Sequence, residues 1–155
     1  MNITVIGTGY VGLVSGTCFS EFGFNVTCID KDAAKIDSLK RGEIPIYEPG
    51  LDDLVSRNMM AGRLLFSTTL ATSVANADAV FIAVGTPERR GDGHADLSYV
   101  YAAAAEIAPH LLDYTVVVTK STVPVGTGRE VERILKETNP DAELDVVSNP
   151  EFLRE

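Results

Sequence analysis

The feature that most constrains this chain lies at its start, where an apolar run ends in closely spaced glycines. Asn2–Ile6 is typical of a buried strand, and the segment Gly7–Gly12 that follows has the spacing G-x-G-x-x-G. Gly7 permits a tight strand-to-helix turn, Gly9 lets the backbone approach a diphosphate, and Gly12 lets the helix pack closely. The pattern predicts a dinucleotide-binding turn whose phosphates rest on the unpaired amides of a helix N-terminus. Related turns also bind flavins and S-adenosylmethionine.

An acidic residue at the end of the second apolar run strengthens this prediction. Asp30 closes the run Asn25–Asp30, about twenty residues beyond the glycines, where a dinucleotide fold places the carboxylate that binds the adenosine ribose. A carboxylate accepts hydrogen bonds from the ribose diol and repels a 2′-phosphate, so NAD is favoured over NADP. Lys31 is a weak signal in the opposite direction. The alternative is that Asp30 only begins a turn before a helix at Asp32.

Apolar runs alternate with helical segments along the whole chain, which is typical of a parallel sheet covered by helices on both faces. The predicted strands are Asn2–Ile6, Asn25–Asp30, Leu64–Ser67, Ala79–Val84, Thr115–Lys120 and Leu144–Ser148. The predicted helices are Tyr10–Phe22, Asp32–Arg41, Leu51–Ala61, a short turn after Thr69, Leu97–Leu111 and Thr127–Glu137. Glycines close the first three helices in left-handed positions. Right-handed crossovers then predict an α/β fold, a Rossmann-type doubly wound parallel six-stranded sheet in the order 3-2-1-4-5-6.

Length and charge limit the possible partners. The chain has 155 residues, which suits one α/β domain, and a formal charge of −9, which disfavours nucleic acid and anionic membranes. No apolar stretch approaches the roughly twenty residues of a membrane span, and the start lacks the basic region of a signal peptide. We therefore expect a cytoplasmic protein with no membrane or nucleic-acid partner.

The cysteines and histidines do not suggest a metal site or a disulfide. Cys18 and Cys28 fall on the first predicted helix and the second predicted strand, where small buried thiols are expected. His94 and His110 are isolated from other metal-ligating residues and are interpreted as surface or loop side chains.

The unusual local sequence falls on loops that leave the carboxyl ends of the predicted strands. Because ligands of doubly wound sheets bind at that edge, the functional site is expected there. These loops are Gly7–Gly12, Asp30–Asp32, Gly85–Pro87, Ser121–Pro124 and Asn149–Glu155.

Motifs in these loops resemble those of the UDP-glucose/GDP-mannose dehydrogenase family, and the resemblance covers the whole chain. They are Gly7–Gly12, Tyr47–Leu51, Val84–Pro87, Lys120–Gly126 and Asn149–Glu155. The resemblance implies a dehydrogenase that uses two NAD+ to oxidise the C6 alcohol of a nucleotide sugar to a carboxylate. Within the family, the segments Tyr10–Gly16 and Thr122–Gly126 favour UDP-glucose over GDP-mannose as the substrate.

The resemblance also implies roles for individual residues in cofactor binding. Val11 and the rest of the glycine turn would bind the NAD diphosphate, Asp30 and Lys35 the adenosine end, and Thr86 and Thr122 the nicotinamide side. The complete set implied to bind the cofactor is Gly7, Thr8, Gly9, Tyr10, Val11, Gly12, Asp30, Lys35, Gly85, Thr86, Thr122 and Glu155.

The catalytic and substrate-binding roles fall mostly near the last residues. The resemblance implies that Glu151, Phe152, Leu153, Arg154 and Glu155 contact the nucleotide sugar. Glu151 would act as an acid or base during hydrolysis of a thioester intermediate. A Thr122 hydroxyl with an ordered water could relay the substrate proton.

Two carboxylates at this end of the chain allow a physical test of the assignment. Glu151 and Glu155 are four apart, so on a helical turn they share a face, and their repulsion would favour proton uptake by the pair. An acidic helix start is the alternative. Tyr47–Gly50 is interpreted as a turn outside the site, and Glu88–His94 as a solvated loop.

The chain is expected to be the NAD-binding domain of a longer dehydrogenase. In the family, the nucleophilic cysteine, a lysine, an asparagine, the uridine pocket and a helical dimer-forming region lie further along the polypeptide. Neither Cys18 nor Cys28 is expected to replace that cysteine, because both belong to the predicted core. We therefore expect this chain to be inactive alone and the full-length protein to be a homodimer.

Three other functions remain open from the sequence. A GDP-mannose dehydrogenase would share these motifs, and a non-enzymatic NAD-sensing module would share the turn. An S-adenosylmethionine-dependent methyltransferase fits less well, because it has no need of the Thr86–Pro87 and Thr122 loops.

Overall fold

A computed structural model describes residues 1–89 and 94–151 and shows strands alternating with helices over that part of the chain. The strands are β1 Asn2–Ile6, β2 Asn25–Ile29, β3 Leu64–Ser67, β4 Ala79–Ile82, β5 Thr115–Thr119 and β6 Leu144–Ser148. The helices are α1 Tyr10–Glu21, α2 Ala33–Lys40, α3 Leu51–Met60, α4 Leu70–Ala75, α5 Ser98–Ile107 and α6 Thr127–Thr138. A short 3-10 turn, Ala108–His110, extends α5.

The strands form one parallel sheet in the order β3-β2-β1-β4-β5-β6. This order confirms the predicted fold class. Strand β1 lies between β2 and β4, with Ile6 in register with both Ile29 and Ile82. The strand order reverses at β1, so the loops after β1 and β4 border the crevice in which doubly wound folds bind ligands.

Both faces of the sheet are buried, which explains why its strands are almost continuously apolar. Along β1, Val5 belongs to the core beneath α1, α2 and α3, whereas Ile6 belongs to the core beneath α4, α5 and α6. Leu13, Ile36 and Val55 anchor the first three helices on their side and are almost fully buried. The two helical layers thereby hold the carboxyl edge of the sheet in a defined position.

Three helices are followed by glycines in the left-handed conformation, as the sequence predicts. Gly23, Gly42 and Gly62 follow α1, α2 and α3 with φ values of 96°, 81° and 70°, a left-handed conformation that glycine adopts readily. The predicted helix Leu97–Leu111 instead becomes α5 plus the 3-10 turn. Pro109 in that turn has no amide hydrogen to continue the helical pattern.

Three strands end earlier than predicted, and all three end at the functional edge. Asp30, Val84 and Lys120 each lie beyond the last residue of β2, β4 and β5. The backbone there still makes single cross-strand bonds, such as Lys120 N–H to the Ile82 carbonyl at 2.9 Å. Beyond these bonds, the loops that follow the strands separate, and the crevices at this edge of the sheet open between them.

No helix among the described residues has both the length and the apolar character needed to cross a bilayer.

Candidate cofactor-binding site

The turn between β1 and α1 is built on backbone contacts that only glycine accommodates. Gly7 has φ of +101° and donates its N–H to the Ile29 carbonyl at 2.7 Å. A Cβ at Gly7 would lie 2.7 Å from the Ala83 carbonyl oxygen, and a Cβ at Gly12 would lie 2.0 Å from the Gly7 carbonyl oxygen. The turn is therefore packed against both neighbouring strands and the first turn of α1.

Gly9 has a different environment from the other two glycines of the motif. It is the N-cap of α1, with an extended backbone, and a Cβ there would meet no atom within 4 Å. The amides of the first helical turn, which begins at Tyr10, have no carbonyl partner within the helix. Gly9 thus leaves open space beside a cluster of positively polarised amides, which suits an anion such as a diphosphate.

Asp30 is held against the glycine turn by a hydrogen-bond network. Its Oδ2 accepts from the Thr8 N–H at 3.0 Å, the Thr8 Oγ1 at 2.6 Å and the Lys35 Nζ at 3.1 Å. Its Oδ1 accepts from the Asp32 N–H at 3.2 Å. Partial burial opposes ionisation, but the hydrogen bonds from Thr8, Asp32 and Lys35 outweigh it and lower the pKa of Asp30 to about 2. Asp30 is a fixed, charged acceptor at physiological pH.

The alternative interpretation of Asp30, as the start of a turn before α2, describes only part of what the residue does. The N-cap of α2 is Asp32, whose side chain accepts the Lys35 N–H at 3.1 Å. Asp30 orders that cap through the Asp32 amide but also reaches across to Thr8. Its side chain therefore joins the glycine turn to the start of α2.

A crevice of about 470 Å³ opens beside this network. Its floor is apolar, with Ile6 and Ile29 from the sheet, and α5 forms the opposite wall with Tyr99 and Ala102. Asp30 also lines it. An apolar slot with a carboxylate at its rim suits a planar base attached to a ribose. At the outer rim, Lys31 on the β2 side and Glu106 on α5 form an ion pair with Nζ and Oε1 2.5 Å apart.

A second crevice of about 290 Å³ lies on the other side of the glycine turn. The two crevices form neighbouring parts of the carboxyl edge of the sheet, because four residues line both: Gly9, Ala83, Val84 and Gly85. The other residues lining the second crevice are Tyr10, Val11, Thr86, Lys120, Ser121, Thr122 and Glu151. The structure thus brings the predicted residues of the β1, β4 and β5 loops together on either side of one turn.

Hydrogen bonds between neighbouring loops shape the second crevice. Ser121 Oγ donates to the Val84 carbonyl at 2.6 Å, and Thr86 Oγ1 donates to the Thr122 carbonyl at 3.4 Å. Thr122 Oγ1 donates to the main-chain carbonyl of Glu151. The Thr122 proton is therefore occupied, and the hydroxyl oxygen retains lone pairs that can accept a hydrogen bond.

Glu151 is paired with a lysine to which the sequence interpretation assigned no role. Lys120 Nζ lies 2.7 Å from Glu151 Oε2 and 3.1 Å from Asn149 Oδ1, and its side chain is only 13% exposed. The pair lines the same crevice as Thr122. Spacing along the sequence could not reveal this contact, since 31 positions separate the two residues.

Glu48 is a second residue that the sequence interpretation left outside the site. The Tyr47–Gly50 segment does form a turn, because Gly50 has φ of +82° and the Leu51 N–H donates to the Glu48 carbonyl at 3.0 Å. The Glu48 carboxylate, however, accepts a hydrogen bond from the Tyr10 hydroxyl. This bond raises the pKa of Tyr10 and fixes the ring at the rim of the second crevice.

Several predicted residues lie outside the described part of the chain. These are Phe152, Leu153, Arg154 and Glu155 of the proposed sugar-binding segment and residues 90–93 of the Glu88–His94 loop. The proposed pairing of Glu151 with Glu155 therefore stays a prediction. Both cysteines are free thiols, and neither lines the two crevices. Cys18 is only partly buried, so the expectation that it belongs to the core is wrong. Cys28 is fully buried in β2, and burial raises its pKa to about 12.

The fold and the site together define a dinucleotide-binding domain. The sequence profile of the UDP-glucose/GDP-mannose dehydrogenase family, NAD binding domain, matches residues 1–155. The chain therefore belongs to this family, as its NAD-binding domain. This result confirms the resemblance inferred from the motifs and NAD as the cofactor.

Individual relatives agree with this assignment. The chain is 70% identical over its full length to a UDP-glucose 6-dehydrogenase of Rhizobium meliloti, of which it covers 36%, and 56% identical over 99% of its length to UDP-glucose 6-dehydrogenase TuaD of Bacillus subtilis, of which it covers 33%. It thus spans about a third of the length of these curated relatives.

Solved structures show the same likeness. A UDP-glucose dehydrogenase from Pyrobaculum islandicum is 42% identical with a TM-score of 0.93, the match covering 99% of this chain and 36% of that one. A GDP-mannose dehydrogenase from Pseudomonas aeruginosa is 36% identical with a TM-score of 0.94, covering 100% of this chain and 37% of that one.

Proposed function

We propose that this chain binds NAD across the glycine turn and serves as the cofactor-binding part of a dehydrogenase that oxidises UDP-glucose to UDP-glucuronate. The observation that carries the proposal is the contact between Asp30 and Thr8. It holds the ribose-binding carboxylate against the amides that would bind the diphosphate. The two crevices beside the turn then accommodate the two ends of a dinucleotide.

The adenosine half is assigned to the larger crevice. Its apolar floor would bury the adenine ring, and the ionised carboxylate of Asp30 would accept hydrogen bonds from the ribose hydroxyls. Lys35 neutralises this carboxylate from one side, at 3.1 Å, and leaves the other oxygen toward the Asp32 amide. The nicotinamide half is assigned to the second crevice, beside Thr86 and Thr122.

The reaction assigned to the complete enzyme takes place beside Thr122 and Glu151. NAD supplies the hydride acceptor for oxidation of the C6 alcohol, and two NAD+ are needed to reach the carboxylate. The Thr122 hydroxyl donates to a main-chain carbonyl, so its lone pairs would accept a hydrogen bond from the substrate alcohol or from a water. Glu151, placed by Lys120, is the carboxylate available to take up and return a proton during thioester hydrolysis.

Cofactor binding by this chain tests the first part of the proposal. Calorimetry with NAD+ should show binding, and Asp30→Asn should weaken it by about tenfold, because a charged acceptor for the ribose is lost. Asp141→Asn changes the charge by the same amount at an exposed position of the loop before β6 and should leave NAD+ affinity unchanged. NADP+ binding tighter than NAD+ would overturn the role of Asp30.

Catalysis tests the second part. We propose that the 155-residue chain alone does not complete the oxidation, since neither of its thiols lines the crevice that holds Thr122 and Glu151. Incubation with UDP-glucose and NAD+ should give no sustained rise in NADH absorbance, and sustained turnover would contradict this.

GDP-mannose is kept as the second candidate substrate, because the Pseudomonas aeruginosa GDP-mannose dehydrogenase matches this chain with a TM-score of 0.94. The natural polypeptide that contains these residues should prefer UDP-glucose in a screen of nucleotide sugars. The resemblance also suggests a homodimer, which light scattering on that polypeptide would test.

A further inference from the structure

An ion pair spans the outer rim of the larger crevice. Lys31 follows Asp30 in the loop after β2, and Glu106 lies in the last turn of α5, 75 positions further along the chain. Their Nζ and Oε1 atoms are 2.5 Å apart. Both residues line the crevice together with Asp30 and Lys35.

The charges at this end of the crevice are balanced in pairs. Lys35 Nζ lies 3.1 Å from Asp30 Oδ2, and Lys31 is paired with Glu106. NADP differs from NAD by a 2′-phosphate on the adenosine ribose, and proteins that accept this phosphate supply a cation beside the ribose. Lys31 is next to Asp30 in sequence and its side chain is 77% exposed, so it is well placed to be that cation.

We propose that Glu106 is a second determinant of cofactor choice, which disfavours NADP by holding the Lys31 ammonium at α5. The carboxylate acts through its ion pair, because it occupies the cation that would otherwise turn toward a 2′-phosphate. The inference rests on the proposed binding of the adenosine end in this crevice.

The pair contributes little to the stability of the fold. Both side chains are well exposed, 77% for Lys31 and 42% for Glu106, and exposed ion pairs have small effects on folding. Glu106→Gln should therefore fold like the unaltered protein. A similar pair on α6, between Arg133 and Glu137, lies away from both crevices. Glu137→Gln makes the same change in net charge and serves as the matched control.

The test is calorimetry of NAD+ and NADP+ on the unaltered chain, Glu106→Gln, Glu137→Gln, Lys31→Gln and the double variant Lys31→Gln with Glu106→Gln. In Glu106→Gln, NADP+ affinity relative to NAD+ should rise about twofold to fivefold, because the gain is limited by the small free energy of the exposed ion pair that holds Lys31. Glu137→Gln should leave the ratio unchanged. The double variant should lose most of the gain, and added salt should shrink it.

Each other outcome counts against the inference. An equal ratio in Glu106→Gln and Glu137→Gln would overturn it, as would a gain that survives in the double variant. A marked loss of NADP+ affinity in Lys31→Gln alone would show that Lys31 is not held by Glu106. Failure of the unaltered chain to bind either nucleotide would instead reject the proposed function.

Discussion

Replacing Gly12 by alanine should damage the fold, whereas replacing Gly9 should damage cofactor binding. A Cβ at Gly12 would lie 2.0 Å from the Gly7 carbonyl oxygen and 3.3 Å from the Ala83 Cβ. The Gly7 carbonyl has little freedom to move, since Gly7 is held at φ of +101° and bonded to Ile29. Relief of the clash therefore requires the first turn of α1 to move away from the sheet.

The size of the effect follows from the overlap. Non-bonded carbon contacts are optimal near roughly 3.5 Å, so the helix must shift by more than 1 Å. Overpacking of this kind costs about 1–3 kcal/mol, and here the obstructing atom belongs to the backbone, which places the cost in the upper part of that range. Better helix propensity of alanine offsets about 0.5–1 kcal/mol. A net loss of about 2 kcal/mol would lower the melting temperature by about 4–8 °C.

Gly9→Ala is the comparison that separates packing from binding. Its φ of −70° is acceptable for alanine and its Cβ would meet no protein atom within 4 Å, so only the weaker capping by alanine applies, about 1 kcal/mol or less. The Cβ would instead occupy the space beside the first-turn amides of α1. Affinity for NAD+ should fall at least about tenfold.

Thermal unfolding and calorimetry on the two variants check both statements. A melting temperature for Gly12→Ala within about 1 °C of the unaltered chain would refute the packing argument. Unchanged NAD+ affinity in a folded Gly9→Ala would show that the diphosphate does not lie on this turn. An equal loss of stability in the two variants would remove the distinction between them.

Two further predictions use the altered pKa values. The pKa of Asp30 falls from 3.8 to about 2 on folding, so its charged form stabilises the fold above pH of about 4 and this contribution is lost as pH falls through about 2. In Asp30→Asn, the free energy of unfolding measured with urea should change by about 1 kcal/mol less across that pH range, after allowance for solvent screening. An unchanged pH dependence would contradict this. Cys28, buried with a pKa of about 12, should resist iodoacetamide in the native chain and react in urea, as mass spectrometry would show; native labelling at Cys28 would argue against its burial.

The sheet could be predicted because its determinants are local. Strand β1 and the turn that follows it are contiguous in sequence, and Gly23, Gly42 and Gly62 mark helix ends directly. Right-handed crossover then limits the strand order to very few possibilities. Strand β4 was predicted two residues too long, because the apolar Ala83 and Val84 follow it. Strands β2 and β5 were each predicted one residue too long, at the charged residues Asp30 and Lys120.

The contacts within the site were less accessible to sequence reasoning. Lys120 with Glu151, Glu48 with Tyr10, and Lys31 with Glu106 are joined over 31, 38 and 75 positions. No residue spacing encodes such a pair, since each depends on where two loops or a loop and a helix meet. The position of Asp30 beside the glycine turn could be predicted, because the distance from that turn to the end of β2 is set by one helix and one strand.

These long-range contacts share a physical origin. Each has at least one member just beyond the point where a strand ends or a helix begins, where the backbone leaves its regular pattern and side chains from separate segments converge. At the Asp30 carboxylate, hydrogen bonds from Thr8 and Lys35 oppose the penalty of partial burial, so the carboxylate is charged before any ligand arrives. Lys31, the next residue in the chain, is bonded instead to Glu106 on α5. In the proposed binding mode, selectivity for the nucleotide depends on which of two adjacent residues, Asp30 or Lys31, faces the ribose with an available charge.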